Sequence, residues 1–192
     1  MALHDQSQDV IFLKTYADHK LYIDTGVNYL KTNFPKKYNF WTMNQKYSAK
    51  YILVESLYFL KSGVSYADYR GPINHKTLNK HILFFAKHNI LENIYSILLS
   101  QYLKVKKYSK LKYQSIDTTN IQNKNGKEKL GRNVKLKNKN CYKISIISDV
   151  NRIPLTISIN PGNDHDAKIA LANLTNHKYT SDNTSIKPYL LG

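Results

Sequence analysis

Apolar residues recur at helical spacing in the first half of the chain. From Ser48 to Lys61 they form a broad apolar surface, Ser48 is suited to cap the start of a helix, and Gly63 is suited to end it. The apolar positions of this segment include Ile52, Leu57, Phe59 and Leu60. The pattern predicts a buried helix.

A second helix is predicted from about Asn74 or His75 to His88. Its positions Leu78, Ile82 and Phe85 are spaced by four and then three residues, so they line one face toward a core. A third helix, from Ile90 to about Leu103, repeats this apolar spacing. The three segments predict a helical region.

Basic residues occupy the other face of the second helix. Lys76, Lys80 and Lys87 lie opposite its apolar stripe, and Leu83 lies near them. A helix, a turn region, a basic helix and a supporting helix are arranged as in a helix-turn-helix-like DNA-binding unit. The residues that could reach base edges are His75, Lys76 and Asn79. Packing of three helices without any DNA role is an equally weighted alternative.

Extended segments alternate with turns in the second half. Strands are predicted at Tyr113–Ile121, Cys141–Ser148, Leu155–Ile159 and Lys187–Leu191, with a helix at Asp166–Leu174 before the last of them. Residues 122–139 form a polar, basic excursion between the first two strands. Asp149–Arg152 is predicted as a turn in which Asn151 is available for a left-handed position.

These elements divide the chain into four parts. Residues 1–45 are a mixed N-terminal segment, 46–104 a helical region, 105–112 a basic linker and 113–192 a region of strands with one helix. The expected fold class is therefore α+β.

The net charge of the chain indicates the kind of partner that it binds. The chain carries 29 Lys and Arg against 13 Asp and Glu, a net charge of +16, which favours a polyanion such as nucleic acid. Much of the excess lies between Lys104 and Lys143, where Asp117 and Glu128 are the only acidic residues. A solvated, lysine-rich segment that binds nothing is the alternative.

Other function classes are excluded by composition. Cys141 is the only cysteine, so the chain has no disulfide framework and no multi-cysteine zinc site. The first residues lack the charge pattern of a signal peptide, and no apolar run is long enough to cross a bilayer. We expect a soluble, intracellular protein.

The order of elements suggests a chemistry. Three strands, a helix and a fourth strand are how RNase H-like nucleases and transposases begin, with the first and fourth strands side by side. An Asp on each of these strands can hold divalent metal ions that clamp the oxygens of a phosphodiester. Asp117, within the first predicted strand, is the candidate on this chain.

Several short motifs occur in a fixed order along the second half. They are Ile116-Asp117-Thr118-Thr119, Gly131-Arg132, Lys143-Ile144-Ser145, the hairpin from Asp149 to Leu155, and Pro161-Gly162-Asn163 with His165-Asp166. Together they resemble the DDE transposases of bacterial-type insertion sequences, in which a helical DNA-binding region precedes an RNase H-like domain. The resemblance covers most of the chain beyond about residue 45.

The resemblance implies a function, and it also implies that part of the metal site is missing. Asp117 would be the first of three acidic ligands for Mg²⁺ or Mn²⁺, and DNA, as the terminal inverted repeats of a mobile element, would be the partner of a possible homodimer. The residues 188–192 look like those just before the second Asp of the family, so we expect an N-terminal fragment that holds an incomplete metal site and does not cleave DNA. A non-catalytic DNA-binding regulator derived from a transposase, and an unrelated basic domain, are the alternatives.

Two sets of polar residues remain to be assigned. The candidate DNA-binding residues are Lys76, Asn79, Lys80, Lys87, Lys124, Lys127, Lys129, Arg132, Lys135 and Lys137. Asp164 and Asp166 with His165 could form a metal cluster, but residues just before a helix more often cap it. Asp149, in a turn, is expected to be structural.

Overall fold

The computed structural model describes residues 13–44, 46–105, 113–122, 130–137, 139–175 and 189–191. The chain divides into two compact units, with the boundary between Gln101 and Tyr102. The first unit is helical and the second is built on a β-sheet. The α+β class that the sequence predicts is confirmed.

The helices follow the apolar periodicity of the sequence. They are α1 (Lys20–Asn33), α2 (Pro35–Asn44), α3 (Ala49–Ser62), α4 (His75–Lys87) and α5 (Ile90–Val105), and residues 13–18 are also helical. Helices on both sides of residue 45 contribute to one core. Its most enclosed side chains include Leu30, Trp41, Ile52, Leu53, Ile73, Leu78, Phe85, Ile90 and Ile94.

Local chemistry sets the ends of α3 and α4. The Ser48 hydroxyl accepts a hydrogen bond from the Tyr51 N–H at 3.2 Å, and Gly63 ends α3 with a φ of 67°. Asn74 caps α4 because its side-chain oxygen accepts from the Lys76 N–H at 2.9 Å. The cap and stop predicted for α3 are confirmed.

The sheet consists of β1 (Tyr113–Gln122), β2 (Gly131–Asn133), β3 (Lys139–Asp149), β4 (Pro154–Pro161) and β5 (Tyr189–Leu191). β3 pairs antiparallel with β1 along one edge, and with β2 and β4 along the other. β5 pairs with β1 in parallel, with Ser115 opposite Leu191. Helix α6 (Asp166–Thr175) lies between β4 and β5 in the sequence and packs on β3 and β4.

The two faces of the sheet differ in burial. On β3, residues 141, 143, 145, 147 and 149 are buried and alternate with half-buried positions. Helix α6 covers this face, where the Asn173 amide donates to the Ser145 hydroxyl at 3.1 Å. On the opposite face, Ile157 is 55% and Ile159 is 47% exposed. We call this second face the outer face; it is centred on the isoleucine pairs Ile144 with Ile159 and Ile146 with Ile157.

The turn between β3 and β4 differs from its prediction. The left-handed residue is Arg152, with a φ of 62°, and not Asn151. The reason is the buried Asp149 carboxylate, which accepts from the N–H groups of Asn151 and Ile153, each at 2.9 Å. Because both N–H groups are held from inside the turn, the reversal falls on the residue between them.

Strand β2 was not expected within the polar excursion. Its Gly131 lies so close to the β4–α6 turn that a Cβ there would meet the Asn163 side-chain oxygen at 2.0 Å. A Cβ on Gly162 would meet the Cys141 sulfur at 2.1 Å. Glycine at both positions is what lets β2, β3 and the turn approach each other.

Within the described residues, no helix combines the length and the apolar character that a bilayer crossing requires.

Candidate nucleic-acid interface and carboxylate site

Helix α4 presents a narrow exposed stripe. Lys76, Lys80, Leu83 and Lys87 are all exposed and follow one another at spacings of four, three and four residues. At 3.6 residues per turn, these spacings place all four on one line along the helix. We call these four residues the α4 stripe. It holds three cations on a helix about 20 Å long.

The opposite side of α4 anchors the helix in the core. Leu78 and Phe85 are fully buried there. The amphipathic pattern that the sequence predicts for this helix is therefore confirmed. Because these two side chains are buried, the helix cannot turn about its own axis, and the stripe stays on its exposed side. Asn79, the other candidate on α4, is half-buried at the side of the stripe.

A cation that the sequence reasoning missed lies on α2. The Lys37 ammonium is 5.3 Å from the centre of the Trp41 ring and 5.5 Å from that of Phe84, which is on α4. An ammonium over an aromatic face is attracted by the ring quadrupole. Lys37 and Trp41 are four residues apart on one helix, which was the available signal, but their contact with Phe84 depends on tertiary packing.

Edge-to-face ring contacts join Phe34, just before α2, and Trp41 of α2 to α4. The Phe34 and Phe84 rings are 5.6 Å apart, and those of Trp41 and His81 are 5.3 Å apart, both edge to face. Burial, with Lys37 nearby, lowers the pKa of His81 to about 4. His81 is therefore neutral at pH 7 and adds no charge beside the stripe.

The remaining basic candidates belong to the second unit. Arg132, on β2, is exposed, and Lys137 is exposed with a φ of 54°. Lys135 lies in a short 3-10 helix, Val134–Leu136. Three further candidates, Lys124, Lys127 and Lys129, lie outside the described residues.

Asp117 lies on the outer face of the sheet. It is opposite Ile146 of β3, two residues beyond Ser115, the last β1 residue that pairs with β5. The carboxylate is exposed, and one oxygen accepts from the Thr118 N–H at 2.7 Å. Asp117 lies in the middle of β1 and not at a strand end, and both an Asp with only a local hydrogen bond and a metal ligand that still needs its partners fit this geometry.

The described residues do not by themselves make a metal site. Among them, no three His, Cys, Asp or Glu side chains are grouped so that they could hold an ion. Mg²⁺ and Mn²⁺ prefer several oxygen ligands, and one exposed carboxylate supplies too few to compete with water. The described residues therefore do not fit the two-metal arrangement.

Asp164 and Asp166 make contacts that hold the start of α6. The Lys143 side chain, only 7% exposed, places its ammonium 2.8 Å from an Asp166 carboxylate oxygen. The same ammonium donates to the Asp164 carbonyl oxygen at 2.6 Å. Asp166 lies in the first turn of α6, as expected for a residue that answers exposed N–H groups.

Asp149 is also structural. Besides the two turn N–H groups, its carboxylate accepts from the Tyr102 hydroxyl, and the Asn151 amide donates to that hydroxyl at 2.8 Å. Burial, and then the bond to this carboxylate, raises the pKa of the Tyr102 phenol. The expectation of a structural role for Asp149 is confirmed.

No family model, curated protein or solved structure matches the chain.

Proposed function

We propose that this chain is a DNA-binding protein of the DDE transposase type, in which α4 contacts DNA and the second unit is the start of an RNase H-like domain. The observation that carries the proposal is the order of strands β4-β3-β1-β5, with β5 parallel to β1. A domain of this type needs its first strand between an antiparallel second strand and a parallel fourth strand.

The parallel pair distinguishes this sheet from a simple meander. β1, β3 and β4 form antiparallel neighbours, and a hairpin connection could have continued the series at the edge of β4. Instead, the chain passes through α6 and returns beside β1, on the far side of the sheet. Such a return places β5 beside the start of β1, with Leu191 opposite Ser115, and Asp117 follows two residues farther along β1.

Asp117 is the proposed contribution of this chain to catalysis. In a complete site, Mg²⁺ or Mn²⁺ would polarise the phosphodiester and activate the attacking oxygen. The other acidic ligands would have to come from outside the described residues. With Asp117 as the only acidic ligand, this part of the chain could bind DNA but could not cleave it. A non-catalytic regulator derived from a transposase is therefore the second candidate.

The α4 stripe supports DNA as the partner. Its three lysines are exposed along one line, and phosphate contacts from lysine release condensed counterions. We propose terminal inverted repeats of a mobile element as the target, and a homodimer as the bound form, since each repeat pair offers two equivalent sites.

The salt dependence of DNA binding tests the α4 interface. The variant Lys76→Gln/Lys80→Gln/Lys87→Gln is expected to lower the slope of log K against log salt, by about 0.9 for each phosphate that is no longer neutralised. The measurement is fluorescence anisotropy with a labelled duplex across a salt series.

A matched control removes the same charge elsewhere. Lys20, Lys31 and Lys61 are exposed on α1 and α3, so their triple Gln variant changes the net charge equally. We expect that control to retain most of the slope. An unchanged slope in the α4 variant would remove this helix from the interface.

A nicking assay tests the role of Asp117. Purified protein with supercoiled plasmid and Mg²⁺ or Mn²⁺ is expected to leave the plasmid intact, because one carboxylate holds too little of an octahedral ion. Metal-dependent nicking that disappears in Asp117→Asn would contradict the expected inactivity and would indicate that the ligand set is complete.

A further inference from the structure

We propose that Leu83 contacts thymine methyl groups in the major groove and gives the α4 stripe a preference for A·T base pairs. The inference deepens the proposed DNA-binding function and rests on it. Its basis is the position of an exposed apolar side chain between cations on one line of the helix.

Leu83 does not belong to the core of the helical unit. It is 59% exposed, whereas Leu78 and Phe85 on the far side of the helix are fully buried. A single exposed leucine is common on protein surfaces and carries no argument alone. Its position does carry one, because Lys80 precedes it by three residues and Lys87 follows it by four.

The lysine and leucine side chains of the stripe differ in length, so we expect them to contact different parts of the DNA. Lysine side chains are long and flexible and keep their charged ends in polar surroundings, so they can reach phosphates on either wall of a groove. Leucine is shorter and apolar, and it lies in the line of the helix that would face the groove floor. The charged residues then position the helix, and Leu83 touches the bases.

The chemistry of the groove selects the base. Among the groups displayed in the major groove, the C5-methyl of thymine is the apolar one, and apolar side chains contact it. Double-stranded RNA is disfavoured because its major groove is deep and narrow and its uracil lacks this methyl. The partner of the stripe is therefore B-form DNA with thymine at the central contact.

Uracil substitution tests the contact directly. The probes are two labelled duplexes of the same alternating sequence, one of dA and dT and the other of dA and dU, which differ in the methyl group. We expect the full chain to bind the thymine duplex roughly fourfold more tightly, the effect of burying one methylene-sized group. In Leu83→Ala this preference should disappear, with the helix retained since alanine favours helices.

Leu60 provides a matched control. It is 48% exposed on α3, and Leu60→Ala removes the same atoms from a different helix. This control should keep the preference for the thymine duplex. A general effect of the methyl group on duplex shape would persist in Leu83→Ala and would overturn the inference.

The remaining outcomes separate the inference from the proposed function. Salt-dependent binding with equal affinity for both duplexes overturns the Leu83 contact and leaves the DNA-binding function standing. Equal or tighter binding to an RNA duplex of the same sequence also overturns it. Failure to bind either DNA duplex at low salt overturns both.

Discussion

Individual buried side chains make the helical unit sensitive to pH, and His81 is the clearest case. It is 8% exposed and packs edge-on against Trp41, and its pKa falls from 6.5 to about 4. Because the folded pKa lies below the unfolded one, the contribution of neutral His81 is complete above pH 6.5 and is lost progressively toward pH 4.

We expect the free energy of unfolding to drop by up to about 3 kcal/mol across that window, since one pKa unit corresponds to about 1.4 kcal/mol. His81→Phe keeps a ring beside Trp41 and removes the titrating group. Urea denaturation at pH 7 and at pH 4.5 compares the two proteins. Equal loss of stability in both would assign the acid sensitivity to other groups.

Glu55 behaves in the opposite sense. It is 2% exposed, and burial raises its pKa, although the Tyr69 hydroxyl, which donates to it at 2.6 Å, works against that rise. A raised folded pKa means that this group stabilises the protein most below its unfolded pKa, and less as pH rises through the folded value.

Tyr69→Phe should therefore destabilise the helical unit more at pH 7 than at pH 4. At pH 7 the buried carboxylate loses its donor, which costs about 1–3 kcal/mol. At pH 4 the acid is closer to neutral and loses less. Tyr58→Phe, half-buried and on the same helix as Glu55, is the control. A pH-independent effect would show that the Tyr69 hydroxyl contributes through packing and not through its bond to the carboxylate.

At the scale of elements, local signals in the sequence predicted much of the fold. Ser48 and Gly63 bracket α3 because capping and left-handed termination are local effects. The strands β1 and β3 and the helix α4 could be predicted from their apolar patterns. Such a pattern depends only on which side of the element faces the core. Asp117 could be placed within β1, and the lysines of the α4 stripe on one exposed line, for the same reason.

Features set by distant contacts could not be read in this way. β2 has three residues and no apolar pattern, and it is held by close approach to Cys141 and Asn163. The reversal at Arg152 is a local exception, because the carboxylate that accepts from the N–H groups on either side of it belongs to Asp149, three residues earlier. Lys37 belongs beside α4 only because α2 packs there. Each needs a partner far away in the sequence or an unusual backbone angle.

At the scale of the whole molecule, the outer face of the sheet is the main liability. Its isoleucines lie opposite one another on neighbouring strands, and Ile157 and Ile159 are about half exposed. Adjacent exposed apolar residues promote self-association. We expect Ile157→Thr/Ile159→Thr to reduce aggregation in light scattering at rising protein concentration, with a modest loss of stability because about half of each side chain is already exposed and threonine is also β-branched.

A control distinguishes the effect of the outer face from that of any exposed apolar side chain. Leu171 is 65% exposed on α6, away from the outer face, so Leu171→Thr should leave the aggregation onset unchanged. Equal improvement by both changes would point to surface hydrophobicity in general. Loss of secondary structure in the double variant, seen by circular dichroism, would show that the outer face supports the sheet.

The two units should also differ in resistance to proteolysis. Among the described residues, the helical unit has a core built from five helices and the segments between them, whereas the sheet unit has few buried apolar side chains. These few are Leu103, Cys141, Ile147, Leu155 and Ile169. Burial of apolar area is the main favourable term in folding, so local opening requires less free energy in the sheet unit.

Limited digestion followed by mass spectrometry measures this difference. We expect the early cuts to fall in the sheet unit, and a fragment that contains residues 13–101 to survive. Adding a duplex that binds the α4 stripe should protect the helical fragment further, because a ligand that binds only the folded state lowers the population of open forms. Equal cleavage rates in the two units would mean that the outer face is covered in solution, and self-association through it would then be the first explanation to test.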